Sequence, residues 1–157
     1  MTMTEKGITN LYIDQLMNKI SLSYRGTFSC NTIPYFNDQN FSVIVNLSRD
    51  DEKGSHLISL YFLKTRIIYF DSYGVKSDNS YINKYLSKYN KKIIYSKQTI
   101  QDISSYHCGF FCISYILFTE NNNSLETFLS LFNTENLITN DEVCIEIIKY
   151  YIKYSCI

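Results

Sequence analysis

Only two histidines, His56 and His107, occur in this chain of 157 residues, together with five cysteines, Cys30, Cys108, Cys112, Cys144 and Cys156. That scarcity narrows any search for acid–base chemistry. A cysteine nucleophile needs a base to take its proton. The base needs a carboxylate or amide to fix its ring, and the oxyanion formed on attack needs prearranged donors. Over residues 104–113 polar side chains lead into Cys108, then Gly109, then a long apolar run. Cys108 is therefore expected at the N-terminus of a buried helix, where unpaired backbone N–H groups and the helix dipole favour a thiolate. Gly109 beside it allows close approach of a substrate backbone. Gln101, seven positions before Cys108, carries an amide able to donate to an oxyanion. His56 opens one expected strand and Asp71 closes the next. Paired as a hairpin, those two ends meet at one edge of a sheet.

Each assignment has a rival. His107 adjoins Cys108 and competes with His56 as base. Asp102 competes with Asp71 and Gln98 with Gln101. Asp71 also stands in Asp-Ser-Tyr-Gly, which is good turn chemistry in its own right. Cys112, one helical turn beyond Cys108, reads as a core residue. His107, Cys108 and Cys112 fall short of a zinc set, because the usual paired ligands at both ends are not present. No metal and no cofactor are expected. The remaining cysteines, Cys30, Cys144 and Cys156, read as free structural thiols, since their total is odd and no secretory signal precedes them.

The elements that must position these groups follow from pattern. A short helix is expected over 11–20 and an irregular segment over 24–36, which holds Gly26 and Pro34. Three strands follow, at 41–47, 56–63 and 66–70. The last two are separated by Lys64-Thr65, the spacing of a two-residue hairpin. Near-continuous apolar strands predict a sheet covered on both faces. A helix over 78–89, capped by Asp78 or Ser80, precedes a strand at 91–95. The apolar run 109–120 predicts the buried helix. Two more helices are expected, at 124–132 behind a Ser124 cap and at 141–154 with Val143, Ile147, Tyr150, Tyr151 and Tyr154 inward. This order is α+β rather than a βαβ alternation, and the whole chain, 1–157, reads as one domain.

Composition removes several classes. Lys+Arg and Asp+Glu are 15 each, which argues against a dedicated nucleic-acid binder. The small basic group Lys88, Lys91 and Lys92 reads as a solvated face. No run approaches the ~20 apolar residues of a membrane helix, and the first six residues lack the apolar core of a signal peptide. The chain reads as intracellular. Alanine and tryptophan are absent, and Asn, Ile, Lys and Tyr abound, the mark of an AT-rich genome.

Four segments resemble one family in order and spacing: Gly54-Ser55-His56-Leu57, Tyr69-Phe70-Asp71-Ser72-Tyr73-Gly74, Gln101, and Cys108-Gly109-Phe110-Phe111-Cys112. Arg25-Gly26-Thr27-Phe28 with Ile33-Pro34 adds to the likeness. The chain resembles the adenovirus-type (adenain-like) cysteine proteases, relatives of the ubiquitin-like-protein proteases. The resemblance implies a papain-like α+β fold with a central, mostly antiparallel sheet packed by helices. It implies His56 as base, Asp71 as its orienting group and Cys108 as nucleophile. Gln101 and the Cys108 backbone N–H would be oxyanion donors. It further implies cleavage of viral precursor proteins at small or glycine-containing sites, within the host nucleus or cytoplasm or in the virion. The alternatives are removal of ubiquitin-like modifiers, or a catalytically silent binding module of the same fold. Two departures stand out. Leu57 occupies the place of a tryptophan that usually follows the histidine and walls the site. Residues 86–100 hold no cysteine, so the covalent link to an activating peptide lacks its partner, although a peptide activator of another kind is compatible with the sequence.

Overall fold

The computed structural model of the chain describes residues 7–155. The N-terminal hexapeptide read above for targeting, and the thiol of Cys156, lie outside the described residues. In chain order the elements are α1 (Asn10–Ile20), β1 (Tyr24–Ser29), β2 (Phe41–Asn46), β3 (Leu57–Phe62), β4 (Arg66–Phe70), α2 (Ser80–Ser87), β5 (Lys92–Tyr95), α3 (Cys108–Glu120), α4 (Leu125–Leu129), a 3₁₀ turn (Leu137–Thr139) and α5 (Asn140–Ser155).

The strands form one sheet in the order β1-β2-β3-β4-β5. Its strands alternate in period two, so each feeds two cores. Phe41, Val43, Val45, Ile58, Leu60 and Phe62 face one side, where Ile82, Tyr85 and Leu86 of α2 cover them. Ile44, Leu57, Tyr61, Ile68 and Phe70 face the other, where α1, α3 and α5 pack. The sheet is thus covered on both faces, as its apolar strands predict. α3 is the central helix of the second layer. Nine of its 13 residues are buried, which matches a helix apolar all round.

Several expectations are corrected. The sheet is antiparallel only in its centre, β2–β3 and β3–β4; the outer pairings, β1–β2 and β4–β5, are parallel. The segment expected to be irregular contains edge strand β1. Only its Tyr24 is buried, its register shifts between Tyr24 and Thr27, and Gly26 sits at φ 142°, so the apolar alternation that announces a strand is missing. α2 is capped by Asn79, between the two expected caps; its side chain accepts from Ile82 N–H at 3.2 Å. The same amide donates to the Leu47 carbonyl at 2.9 Å, a tertiary bond that selects it among three good cap formers. α4 stops at Leu129. In α5 the expected Val143, Ile147 and Tyr151 pack against the core beside the buried Cys144 and Ile148, whereas Tyr150 and Tyr154 lie exposed. Their amphipathic rings tolerate water better than the isoleucines that displace them.

The β3–β4 hairpin closes through Lys64-Thr65, with Leu63 N–H donating to the Arg66 carbonyl at 2.9 Å. Lys91 Nζ donates to the Leu63 carbonyl at 2.8 Å, so one of the three lysines read as a solvated patch clamps this turn. At the far end of the hairpin lie His56, just before β3, and Asp71, just after β4.

Candidate active site

His56 Nε2 and Asp71 Oδ1 are 2.7 Å apart. A carboxylate only accepts, so Nε2 carries the hydrogen and Nδ1 remains for another partner. Cys108, on the same cleft, is the sulfur close enough to act on the ring. Burial by itself would lower the His56 pKa. The bonds to Asp71 and to Cys108, together with their charges, outweigh it and raise the value to about 9. These contacts favour the protonated ring.

Asp71 is itself held. Its Oδ1 accepts from Tyr73 N–H at 2.9 Å, its own N–H donates to Ser96 Oγ at 2.9 Å, and Ser96 Oγ donates to the Asp71 carbonyl at 3.1 Å. Tyr73 stacks on the His56 ring, with centroids 4.7 Å apart and planes at 29°. An aromatic wall therefore exists beside the histidine, supplied by Tyr73 rather than by the residue at Leu57. The sequence quoted Tyr73 within a motif and gave it no role.

Gln101 is buried, and its amide has one possible orientation. Nε2 donates to the Ser105 carbonyl at 3.0 Å, a group that only accepts, while Ser72 Oγ donates to Oε1. The donor end of the amide thus faces the loop that leads into Cys108. That loop is tied down by Asp141 at the start of α5. Asp141 Oδ1 accepts from Ser105 Oγ at 2.8 Å, and its Oδ2 lies 3.3 Å from His107 Nδ1. Asn140 adds a bond from Nδ2 to the Ile100 carbonyl at 2.9 Å. None of Ser72, Ser105, Asn140 or Asp141 was singled out from sequence. Their neighbours in space come from segments up to 40 residues away, and no local spacing marks them.

His56, Gln101 and Cys108 line one cleft of about 420 Å³, with Gly54, Tyr73 and Gly109 on its walls. Asp71 stands behind His56, 3% exposed. The rivals are elsewhere. His107 is turned to Asp141 and lies against Phe110, ring centroids 5.2 Å apart. The Asp102 carboxylate accepts from the Ser104 backbone and hydroxyl, bonds that lower its pKa. Gln98 donates to the Leu129 carbonyl at 3.3 Å.

Cys112 is fully buried, its thiol bonded to the Leu57 carbonyl at 3.4 Å, and burial raises its pKa well above the ordinary thiol value. Burial raises Cys144 as well. Both are core thiols, protonated at neutral pH. Cys30, Cys108, Cys112 and Cys144 are all free. Among the described residues no three His, Cys, Asp or Glu side chains are grouped to hold a metal ion, and no helix is long and apolar enough to cross a membrane.

No family model matches the chain, and no curated protein matches it. Among solved structures, the selenomethionine crystal structure of the ASFV pS273R protease is similar. The TM-score is 0.56 at 17% identity, and the match covers 94% of this chain and 67% of that one. The likeness is one of fold. It bears out the α+β, papain-like arrangement of adenain type expected from the sequence, a five-stranded sheet packed by helices.

Proposed function

We propose that this chain is a cysteine endopeptidase that cleaves protein substrates through Cys108, His56 and Asp71, with Gln101 and the Cys108 backbone N–H as oxyanion donors. One observation carries the reading: a histidine held at 2.7 Å by a buried carboxylate shares one cleft with the cysteine at the N-terminus of the central helix. A protonated histidine beside a cysteine is the arrangement that activates a sulfur nucleophile. The fold shared with a viral protease supports the same reading.

In the proposed reaction the Cys108 sulfur forms a bond to the scissile carbonyl carbon. The carbonyl oxygen takes up charge beside Gln101 Nε2 and the Cys108 N–H. His56 Nδ1 then gives its proton to the amide nitrogen, the C–N bond breaks and the amine leaves. Water attacks the thioester, returns a proton to His56 and releases the acid. Asp71 holds the ring in register and stabilises the imidazolium throughout. Substrates are proposed to be viral precursor proteins cut at small or glycine-containing sites.

The test is iodoacetamide alkylation of Cys108 against pH, mapped by mass spectrometry, with His56→Ala alongside. Fast alkylation near pH 6 that slows in His56→Ala supports the activated pair. Alkylation of Cys108 no faster than that of Cys30, and indifferent to His56, sinks it.

A further inference from the structure

The catalytic cleft does not end at Gln101. A second cavity of about 490 Å³ opens beyond it, lined by Tyr73, Val75, Thr99, Gln101, Asp102, Ile103 and Leu137. Tyr73, Gln101 and Ile103 belong to both cavities. Apart from Thr99 and Asp102, the lining beyond Gln101 is apolar or aromatic. Val75 is 58% exposed and Ile103 92% exposed. Large apolar side chains left in water beside a reactive cleft mark a surface that expects company.

The walls are prebuilt. Ile100 and Gln101 N–H both donate to the Ser72 carbonyl, at 2.9 and 3.1 Å. Thr99 Oγ1 donates to the Tyr73 carbonyl at 2.8 Å. These bonds strap residues 72–73 to residues 99–101, so the pocket does not have to form on binding, and little ordering entropy opposes an occupant.

The side of the scissile bond served by this pocket follows from His56. The leaving amine must come within hydrogen-bond reach of the imidazole that protonates it. The chain that begins at that amine therefore departs past His56 and past Tyr73, which stacks on its ring. Tyr73 is the wall shared with the second cavity. Asn46, Gly54 and Ser55 line the catalytic cleft and do not reach the second cavity.

We propose that this second cavity is a specificity subsite for the leaving half of the substrate, taking an apolar side chain (Leu, Ile, Val, Met or Phe) within the first three residues after the cut. The proposal rests on the endopeptidase reading above. Burying one such side chain in an open pocket is worth roughly 10-fold or more in kcat/KM.

The test is digestion of a proteome-derived peptide library, with new N-termini sequenced by mass spectrometry. Wild type is compared with Val75→Asp and Leu137→Ser, neither of which touches the catalytic cleft, and Cys108 alkylation is measured in parallel. The expected result is enrichment of apolar residues among the first three positions after the cut. Both variants should flatten that enrichment while leaving the residues before the cut and the alkylation rate unchanged. Cleavage by wild type with no apolar preference after the cut, or a preference that survives both variants, overturns the subsite and leaves the endopeptidase reading standing. A wild-type protein that cleaves no peptide and whose Cys108 alkylates no faster than Cys30 overturns both.

Discussion

Asp71→Asn removes the charge that holds His56 and keeps the shape of the side chain. The structure sets the size of the effect. His56 is raised from an ordinary 6.5 to about 9 against the downward pull of burial, chiefly by its bond to Asp71. A rise of roughly 2.5 units at 1.36 kcal/mol each corresponds to about 3 kcal/mol of folding stability. The sign is that of a group which binds its proton more tightly when folded. The contribution is fully present below the unfolded pKa near 6.5 and is lost as pH rises through about 9. Urea unfolding of the wild type from pH 6 to 10 should therefore show a fall of about 3 kcal/mol from His56 and its partners, and Asp71→Asn should lose most of that fall. Histidine C2-proton NMR reads the same group directly. The chain holds only two histidines, and His107→Gln assigns their resonances. The His56 resonance should titrate near pH 9 in wild type and return toward its ordinary range in Asp71→Asn. Cys108→Ala should lower it less, because the bond to Asp71 outranks the bond to Cys108. Superimposable stability profiles for wild type and Asp71→Asn, or a wild-type His56 titrating at 6.5 or below, would refute the reasoning.

Gln101→Ala should cut kcat by about 10²–10³, the scale of one lost oxyanion donor, with Cys108 alkylation unchanged; parallel loss of both would point to misfolding. Ser72→Ala should cost less, about 10-fold in kcat, because the Ser105 carbonyl still orients the amide, and peptide-cleavage kinetics separate the two variants. Gly74→Ala should lower stability by about 3 kcal/mol or more. Gly74 has φ +67°, and an added Cβ would meet the Lys97 and Gln98 backbone at 2.7–2.8 Å, so thermal unfolding should show a clear drop in Tm.

The reactive side chains were legible because each sits at the boundary of an element that pattern reveals. An apolar run announces α3 and so places Cys108 at its start. The two strands and the Lys64-Thr65 spacing place His56 and Asp71 at one end of a hairpin. What pattern did not reveal is the support around them. Ser72, Ser105 and Asp141 are ordinary polar residues whose function exists only once three distant segments meet. Edge strand β1 was hidden by Gly26 and by polar side chains that need not alternate where one side of the ladder is open to solvent. On α5 the spacing places Val143, Ile147 and Tyr151 against the core but not Tyr150 and Tyr154, because its apolar residues cover more than one arc. Packing against α3 then decides which arc is buried, and sequence periodicity does not.

The register of β3 against β4 explains why the candidate triad is compact. Ser59 stands opposite Phe70 in the last pair of the β3–β4 ladder, and just past that pair the chain brings Tyr73 beside His56. Those two rings stack. Asp71, the first residue after β4, meets the His56 ring at 2.7 Å. A slip of one residue would send Asp71 to the other face of the sheet. The tight Leu63–Arg66 turn, clamped by Lys91, thus governs chemistry at the opposite end of the hairpin. The third group arrives by a different route. α3 packs beneath β3 through a core that is apolar on every side of the helix, so its N-terminus is fixed as firmly as the strands are. The candidate nucleophile and base are therefore set by two rigid constraints, a hairpin register and a buried helix, while the oxyanion donor depends on a loop held by hydrogen bonds. Substitutions in that loop should alter turnover before they alter folding.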